Sequence, residues 1–218
     1  MMPVIFVGHG SPTNAIEDNE YTRTWKQMAA SIPKPAAILS VSAHWVTEGT
    51  KVSVLEKPKT IHDFYGFEKE LYEIEYKVPG GTEIALKTLE LLGGIAEADS
   101  SWGLDHGTWS VLHVMYPEAD IPVFQLSIDQ DGEPLEHLNI GKRLKSLRDQ
   151  NVLIMGSGNI VHNLRILDFS MKDGFDWAKK FDDFIEEQIM DSDFDGICNY
   201  RNFDRQVPLS VPTTEHFN

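Results

Sequence analysis

The chain has 218 residues, 41% of them apolar, which is enough for one substantial hydrophobic core rather than two. Its 34 acidic and 19 basic side chains give a net charge of −15, which disfavours binding to nucleic acid and to anionic membrane surfaces. No apolar run approaches the ~18 residues of a membrane span, and the lone Cys198 excludes an internal disulfide, so we expect a cytoplasmic protein.

Short apolar runs alternate along the chain with amphipathic segments. The apolar runs predict buried strands at 3–8, 36–44, 121–128 and 151–158. The amphipathic segments predict helices at about 19–31, 82–93, 108–116, 134–148 and 176–190. Strands that alternate with helices indicate a mostly parallel sheet with helices on both faces. The predicted fold is a single three-layer α/β/α domain over residues 1–218.

Three histidines follow predicted strands, at the end where open parallel sheets bind their ligands. His9 stands between two glycines after the first strand, His44 closes "ILSVSAH", and His162 comes shortly after "VLIMGSG". Each has a structural alternative: a turn residue, a core histidine bonded to a carbonyl, and a polar residue near a helix start. A divalent metal explains three neutral imidazoles at one edge better than three separate accidents do. Because Cys198 is alone, the ligands would be His, Asp or Glu.

His106 stands in "SWGLDHGTW", at the apparent start of the helix predicted at 108–116. A helix N-terminus disfavours a charged imidazole, so the neutral ring would act as a base or as a hydrogen-bond donor. The alternative is a capping role shared with Asp105 and Thr108. The residues alone leave both interpretations open.

Aromatic residues surround His62 in the segment "TIHDFYGFEKELY". Phe64 and Tyr65 would line a pocket for a flat substrate, or would form a small satellite core. His62, Phe64 and Tyr65 are therefore candidates for substrate binding.

The last residues, "VPTTEHFN", supply Glu215 and His216 as a further carboxylate and imidazole. A domain seldom stops so soon after such groups without a closing helix or strand. We therefore expect that a C-terminal part of the domain is missing, and that a site using either residue would lie beside a frayed edge.

Seven spaced motifs occur in an order known from one protein family. They are "GHGSP", "SAHW", "IHDFYGF", "LDHGTW", "QLSID", "GSGNIVHNL" and "TEHF". From residue 4 to 217 the chain closely resembles the 4,5-DOPA extradiol dioxygenase family, a branch of the class III, LigB-like extradiol ring-cleavage dioxygenases. The resemblance implies a LigB-like fold and metal-dependent extradiol cleavage of a catechol, such as DOPA, with O2.

The resemblance also implies roles for individual residues. The positions that match the divalent-metal ligands of the DOPA dioxygenase-like branch are His9, His44, His162 and His216. His106 matches a further active-site histidine that orients or protonates the substrate. In other LigB-type enzymes two histidines and one glutamate bind iron(II), and the counterpart of His162 is the acid/base. Under that pattern Glu215 is the third ligand and His162 is catalytic.

One divalent metal per chain follows from the resemblance, either Fe(II) for dioxygenase activity or Zn(II) as found in the DOPA dioxygenase-like branch. The implied partners are a small aromatic diol and O2, with the chain as a monomer or small homo-oligomer. Two other function classes stay open. One is a zinc-binding enzyme or metal-binding protein of the same fold, and the other is a tetrapyrrole metal chelatase, which also carries a "GHGS"-like histidine after its first strand.

Overall fold

The computed structural model describes residues 1–168, 170–171 and 173–218 of the chain. Its strands are β1 (Val4–Gly8), β2 (Ala37–Thr47), β3 (Thr50–Ser53), β4 (Ala96–Asp99), β5 (Val123–Asp129) and β6 (Val152–Gly158). Its α-helices are α1 (Glu20–Ser31), α2 (Lys69–Glu73), α3 (Thr82–Leu92), α4 (His106–Met115), α5 (Pro134–Leu144), α6 (Asp176–Met190), α7 (Phe194–Cys198) and α8 (Val207–Ser210). Among these described helices, none is both long and apolar enough to cross a membrane.

The described strands form a six-stranded sheet in the order β1-β6-β2-β5-β3-β4. Neighbouring strands pair in parallel except for β3 and β5, which are antiparallel. Helices α1 and α4 pack on one face of the sheet, and α3 and α5 pack on the other. The three-layer α/β/α fold with a mostly parallel sheet is thus confirmed.

The alternation of side chains along each strand explains why both faces are buried. In β2, Ile38 packs with Trp25 of α1 and Trp109 of α4, whereas the next residue, Leu39, packs in the cluster that contains Ala85 of α3. Successive side chains of a strand point to opposite faces, so one continuous apolar run contributes to both layers. This is why the sequence shows unbroken apolar runs at the central strands.

A smaller core lies in the C-terminal part of the chain. Phe181 and Ile185 of α6 pack there with Tyr200 and Val207. Three partly buried residues from the segments that carry the last histidines pack against this core: Ile160, Val161 and Phe217. This core therefore anchors those segments beside the sheet.

The sequence does not predict the short strands β3 and β4. Their residues, "TKVS" and "AEAD", are too few and too polar to resemble the apolar runs of the other strands. They lie at one end of the sheet, where β4 has a neighbour on only one side. Strand β2 also continues past His44 to Thr47, because its pairing with β5 resumes at Val46.

Candidate active site

The carboxyl ends of three neighbouring strands bring the predicted histidines together. Strands β1, β6 and β2 are adjacent and parallel, so they end at the same edge of the sheet. His9 follows β1, His162 follows β6, and His44 lies near the end of β2. The pairing of β2 with β5 shifts register between Val41 and Val46, and such irregularities often redirect side chains at active sites.

Two groups of possible metal ligands meet at this edge. The inner group is His9, His44 and His106, and the outer group is His162, Glu215 and His216. Within each group, one ligand atom from every residue lies within 4.8 Å of the others. His216 connects the groups, because its ring centroid is 5.2 Å from that of His9 and 5.3 Å from that of His44.

A serine fixes the orientation of His9. The Nδ1 atom of His9 lies 3.0 Å from Ser157 Oγ. The Ser157 hydroxyl donates to the carbonyl of Gly107 over 2.5 Å, so its oxygen accepts the hydrogen on Nδ1 of His9. The lone pair is therefore on Nε2, which lies 3.0 Å from Nε2 of His44.

An aspartate fixes His106 in a similar way. Nδ1 of His106 lies 2.8 Å from Oδ2 of Asp63, and the backbone N–H of His106 donates to Oδ1 over 2.8 Å. The N-cap of α4 is Asp105, whose side chain accepts from the N–H of Thr108. The capping role considered for His106 thus belongs to Asp105.

Asp105 is also a fully buried carboxylate whose described hydrogen-bond donors are neutral. Ser42 Oγ donates to Oδ1 over 2.6 Å, and Gln125 Nε2 donates to Oδ2 over 2.7 Å. Burial lowers the pKa of the nearby His44 ring, and the charge of Asp105 opposes that shift. A buried negative charge of this kind favours a cation in the adjacent site.

Two glycines allow the backbone to come close to these rings. A Cβ atom at Gly107 would lie 2.5 Å from Ser42 Oγ and 2.9 Å from Cδ2 of His44, so α4 begins at a distance from β2 that only glycine permits. Gly10, directly after His9, has a φ of +60°, which glycine adopts without strain.

The outer group lies in segments outside the strands and α-helices. The rings of His162 and His216 are stacked, with centroids 3.5 Å apart. The N–H of His162 donates to the carbonyl of Ser210 over 2.9 Å, and Asn159 lies 3.3 Å from Nδ1 of His216. His216 is buried, whereas His162 and Glu215 are partly exposed.

Burial keeps the imidazoles neutral. Burial first, and then the neighbouring histidines, lowers the pKa of His9 from 6.5 to about 2 and that of His216 from 6.5 to about 3. Burial also lowers the pKa values of His44 and His162, while Glu215 opposes the shift at His162. The neutral ring is the form that binds a metal ion.

The donor set fits one divalent metal ion. The 3.0 Å between Nε2 of His9 and Nε2 of His44 is about the separation of two neighbouring ligands that each bind one ion at ~2.1 Å. Imidazole and carboxylate donors are those that iron and zinc accept. The carboxylates of Asp63 and Asp105 supply negative charge beside the rings.

The candidate substrate-binding residues lie at different distances from the inner group. The ring of Phe64 meets that of His106 edge to face, with centroids 5.6 Å apart. His62 packs one ring further away, on Phe64 and Trp109, and its Nε2 donates to a backbone carbonyl over 3.0 Å. Tyr65 is 91% exposed. His62 thus packs in an aromatic cluster, and Phe64 is the member that borders the histidines.

Asp63 and Ser157 are two residues of the site that the sequence did not predict. Asp63 stands within "IHDFYGF", and Ser157 within "GSGNIVHNL". Their partners are 43 residues away for Asp63 and 148 residues away for Ser157, so local spacing does not reveal either contact. The position of Asp63 directly after His62 in a motif is a sequence signal that could have pointed to it.

Comparison with known proteins identifies the family. The model of the catalytic LigB subunit of aromatic ring-opening dioxygenase matches residues 3–206. A protein of Escherichia coli K12 named 4,5-DOPA dioxygenase extradiol is 42% identical over 222 residues, which cover 99% of this chain and 82% of that protein. The Beta vulgaris protein of the same name is 36% identical over 220 residues, or 97% of this chain and 82% of that protein.

A solved structure supports the same relationship. The crystal structure of an uncharacterized protein from Escherichia coli K12 superposes with a TM-score of 0.85 at 38% identity, covering 100% of this chain and 85% of that one. The tetrapyrrole chelatase alternative is set aside, since the matching family is that of the dioxygenase subunit. As the motifs of the sequence implied, the chain belongs to the LigB family of aromatic ring-opening dioxygenases, within its extradiol branch.

Proposed function

We propose that the protein cleaves the ring of a catechol such as DOPA with O2, using one iron(II) ion. The observation that carries this proposal is the convergence of histidine rings at one edge of the sheet, with 3.0 Å between Nε2 of His9, where that ring has its lone pair, and Nε2 of His44. The names of the curated relatives, 4,5-DOPA dioxygenase extradiol, support the choice of DOPA as the first substrate to test.

The proposed ligands of the metal are His9, His44, His162 and His216. Iron(II) held by these residues would supply the redox chemistry between the catechol and O2. Ser157 accepts the Nδ1–H of His9, which leaves the lone pair of that ring on Nε2, free to bind the metal. Burial keeps the rings of His9 and His216 unprotonated. These residues therefore present ligands without first having to lose protons.

A proton must leave the catechol when it binds and return during ring opening. We assign this task to His106, because Asp63 occupies its Nδ1 and leaves Nε2 as the nitrogen that accepts and returns the proton. Phe64 packs against this ring and restricts where a flat substrate can lie. His62 and Tyr65 complete the proposed substrate-binding set.

A second arrangement uses the same residues differently. If Glu215 is the third ligand beside His9 and His44, His162 is free to act as the acid/base. His162 is partly exposed and lies within 4.8 Å of Glu215 and His216, measured between ligand atoms. This supports a position for His162 between the metal and the substrate. Metal content of matched variants distinguishes the two arrangements.

The remaining partners follow from this chemistry. The substrates are a small aromatic diol and O2, and we propose a monomer or small homo-oligomer as the working form. We propose the cytoplasm as its compartment, because the single Cys198 is a free thiol.

The test is anaerobic reconstitution with iron(II), followed by DOPA or unsubstituted catechol under air. Oxygen uptake and the visible spectrum are recorded together, with His9→Ala and His106→Ala as controls. We expect one O2 consumed per catechol and a yellow ring-opened product, with both signals lost in His9→Ala and strongly reduced in His106→Ala.

The two variants separate the parts of the proposal. His9→Ala should lose bound metal, whereas His106→Ala should retain it. A colourless, oxygen-inert mixture with tightly bound zinc would instead assign the chain to a zinc-binding enzyme or metal-binding protein of the same fold.

A further inference from the structure

We propose that Asp63 is a positioning residue that holds His106 in the tautomer with hydrogen on Nδ1 and a lone pair on Nε2. The assignment of the tautomer stands on the geometry alone, and its consequence for catalysis rests on the proposed function.

The Asp63 carboxylate accepts two hydrogen bonds from His106. Oδ1 accepts the backbone N–H of His106, and Oδ2 accepts the ring Nδ1–H, each over 2.8 Å. One carboxylate thus fixes both the backbone and the ring of the same residue. Since His106 is the first residue of α4, the positive end of the helix dipole also favours a negative charge here.

The chemistry of the carboxylate decides where the ring carries its hydrogen. An ionised carboxylate only accepts, so Nδ1 of His106 must donate. Burial alone would raise the pKa of Asp63, but the hydrogen bonds from the ring and the backbone of His106 hold it below the usual range. Nε2 is then the one ring nitrogen of His106 that has a lone pair for a substrate proton.

The loop that carries Asp63 is fastened close to this contact. The N–H of Ile61 donates to the carbonyl of Leu104 over 2.7 Å, and Trp109 Nε1 donates to the carbonyl of Ile61 over 2.8 Å. On the other side of Asp63, the ring of Phe64 packs against His106. The carboxylate is thus supported from both directions, and its side chain is only 18% exposed.

The same carboxylate lies next to a second ring. Oδ2 of Asp63 is 3.6 Å from Nδ1 of His44, which is longer than a hydrogen bond. Asp63 therefore lies between a proposed metal ligand and the proposed acid/base.

The test compares Asp63→Asn with Asp149→Asn, which makes the same change at an exposed residue in the 3-10 segment before β6. The tautomer of His106 is measured in the metal-free proteins by two-bond ¹H–¹⁵N NMR of the imidazole rings. The His106 signals are assigned by their absence in His106→Gln. The iron-reconstituted proteins are then assayed for kcat and KM.

We expect His106 to carry hydrogen on Nδ1 in the wild type and in Asp149→Asn. In Asp63→Asn the amide oxygen keeps the backbone N–H, so the amide N–H₂ faces Nδ1 and favours hydrogen on Nε2. We expect kcat to fall about 10- to 100-fold, with a smaller change in KM, as for other residues that orient an active-site histidine.

Hydrogen on Nε2 in the wild type, or an unchanged tautomer and kcat in Asp63→Asn, would overturn the proposal. The wild-type spectrum gives this answer even if Asp63→Asn does not fold. An iron-loaded wild type that is inactive, but whose His106 tautomer changes in Asp63→Asn, would refute the proposed function and leave the positioning role intact.

Discussion

The inner and outer groups of the site are held in different ways. His9 and His106 of the inner group each donate a ring N–H to an oxygen, on Ser157 and on Asp63, and they lie at the end of a strand and the start of a helix. In the outer group, the rings of His162 and His216 stack on each other, and both residues lie in segments outside the strands and α-helices. The inner group is preorganised by hydrogen bonds, and the outer group chiefly by packing.

Because of this difference, the role of a histidine can be deduced from its contacts in the inner group but not in the outer group. The hydrogen-bond partners of His9 and His106 determine which nitrogen is free, so their chemistry can be deduced from contacts. Among the described residues, the ring of His162 has no hydrogen-bond partner, and Glu215 accepts from Thr213 Oγ1 over 2.7 Å, which does not distinguish metal binding from proton transfer. The sharpest tests therefore compare changes in one group with matched changes in the other.

The largest effect on metal binding is expected from glutamine substitutions in the outer group. If four histidines bind the metal, His162→Gln should weaken metal binding by more than about 100-fold, because it removes a ligand and not merely a supporting contact. Glu215→Gln should then retain the metal. Metal titration of the two purified variants measures this, and the opposite ranking would make Glu215 the ligand and His162 the acid/base.

The next effect is a loss of stability at low pH in the metal-free protein, to which both groups contribute. The pKa of His9 is lowered to about 2 and that of His216 to about 3 in the folded state, against 6.5 when unfolded. Below pH 6.5 the unfolded chain therefore binds protons that the folded chain does not bind. We expect the free energy of unfolding to fall by up to about 2 kcal/mol per histidine between about pH 8 and pH 5.

Urea unfolding across this pH range measures the effect, with His9→Gln and His216→Gln as matched variants. Each variant should show a shallower dependence on pH than the wild type does. A shallower slope in only one of them would mean that burial keeps the histidine neutral in one group and not in the other.

A smaller effect is expected from Ser157→Ala, which leaves Nδ1–H of His9 and the carbonyl of Gly107 without their partner. Metal affinity should fall about 10- to 100-fold, and stability by about 1–3 kcal/mol. Ser110→Ala is the matched control, since the buried Ser110 hydroxyl has no hydrogen-bond partner among the described residues.

Asn159→Ala makes the corresponding change in the outer group. It should lower metal affinity and stability less than Ser157→Ala does, because the contact of Asn159 with His216 is 3.3 Å long. Equal losses in Ser157→Ala and Asn159→Ala would remove the distinction between the groups.

The smallest effect is expected at Tyr65. Because its side chain is 91% exposed, Tyr65→Ala should change stability by less than about 0.5 kcal/mol. If the ring stacks on bound substrate, KM for DOPA should rise about two- to tenfold with kcat unchanged. Steady-state oxygen uptake measures both constants, and an unchanged KM would remove Tyr65 from the substrate-binding set.

The layers of the fold and the family could both be predicted from the amino-acid sequence. Unbroken apolar runs such as "VLIMGSG" require burial on both faces of a strand, and amphipathic segments between them require helices above and below the sheet. The ends of parallel strands lie at one edge, so His9, His44 and His162 could be expected together. The strands "TKVS" and "AEAD" escaped prediction because so short and polar a segment pairs only when a neighbouring strand is already present.

The hydrogen-bond partners of the site histidines could be identified only from the folded structure. Asp63 reaches His106 and Ser157 reaches His9 across separations of 43 and 148 residues, and no periodic pattern records a contact between segments that distant. The same holds for the stacking of His162 on His216, which depends on the small C-terminal core. Periodicity reports which face of an element is buried, whereas the hydrogen bonds that select a tautomer depend on where the whole chain brings side chains together.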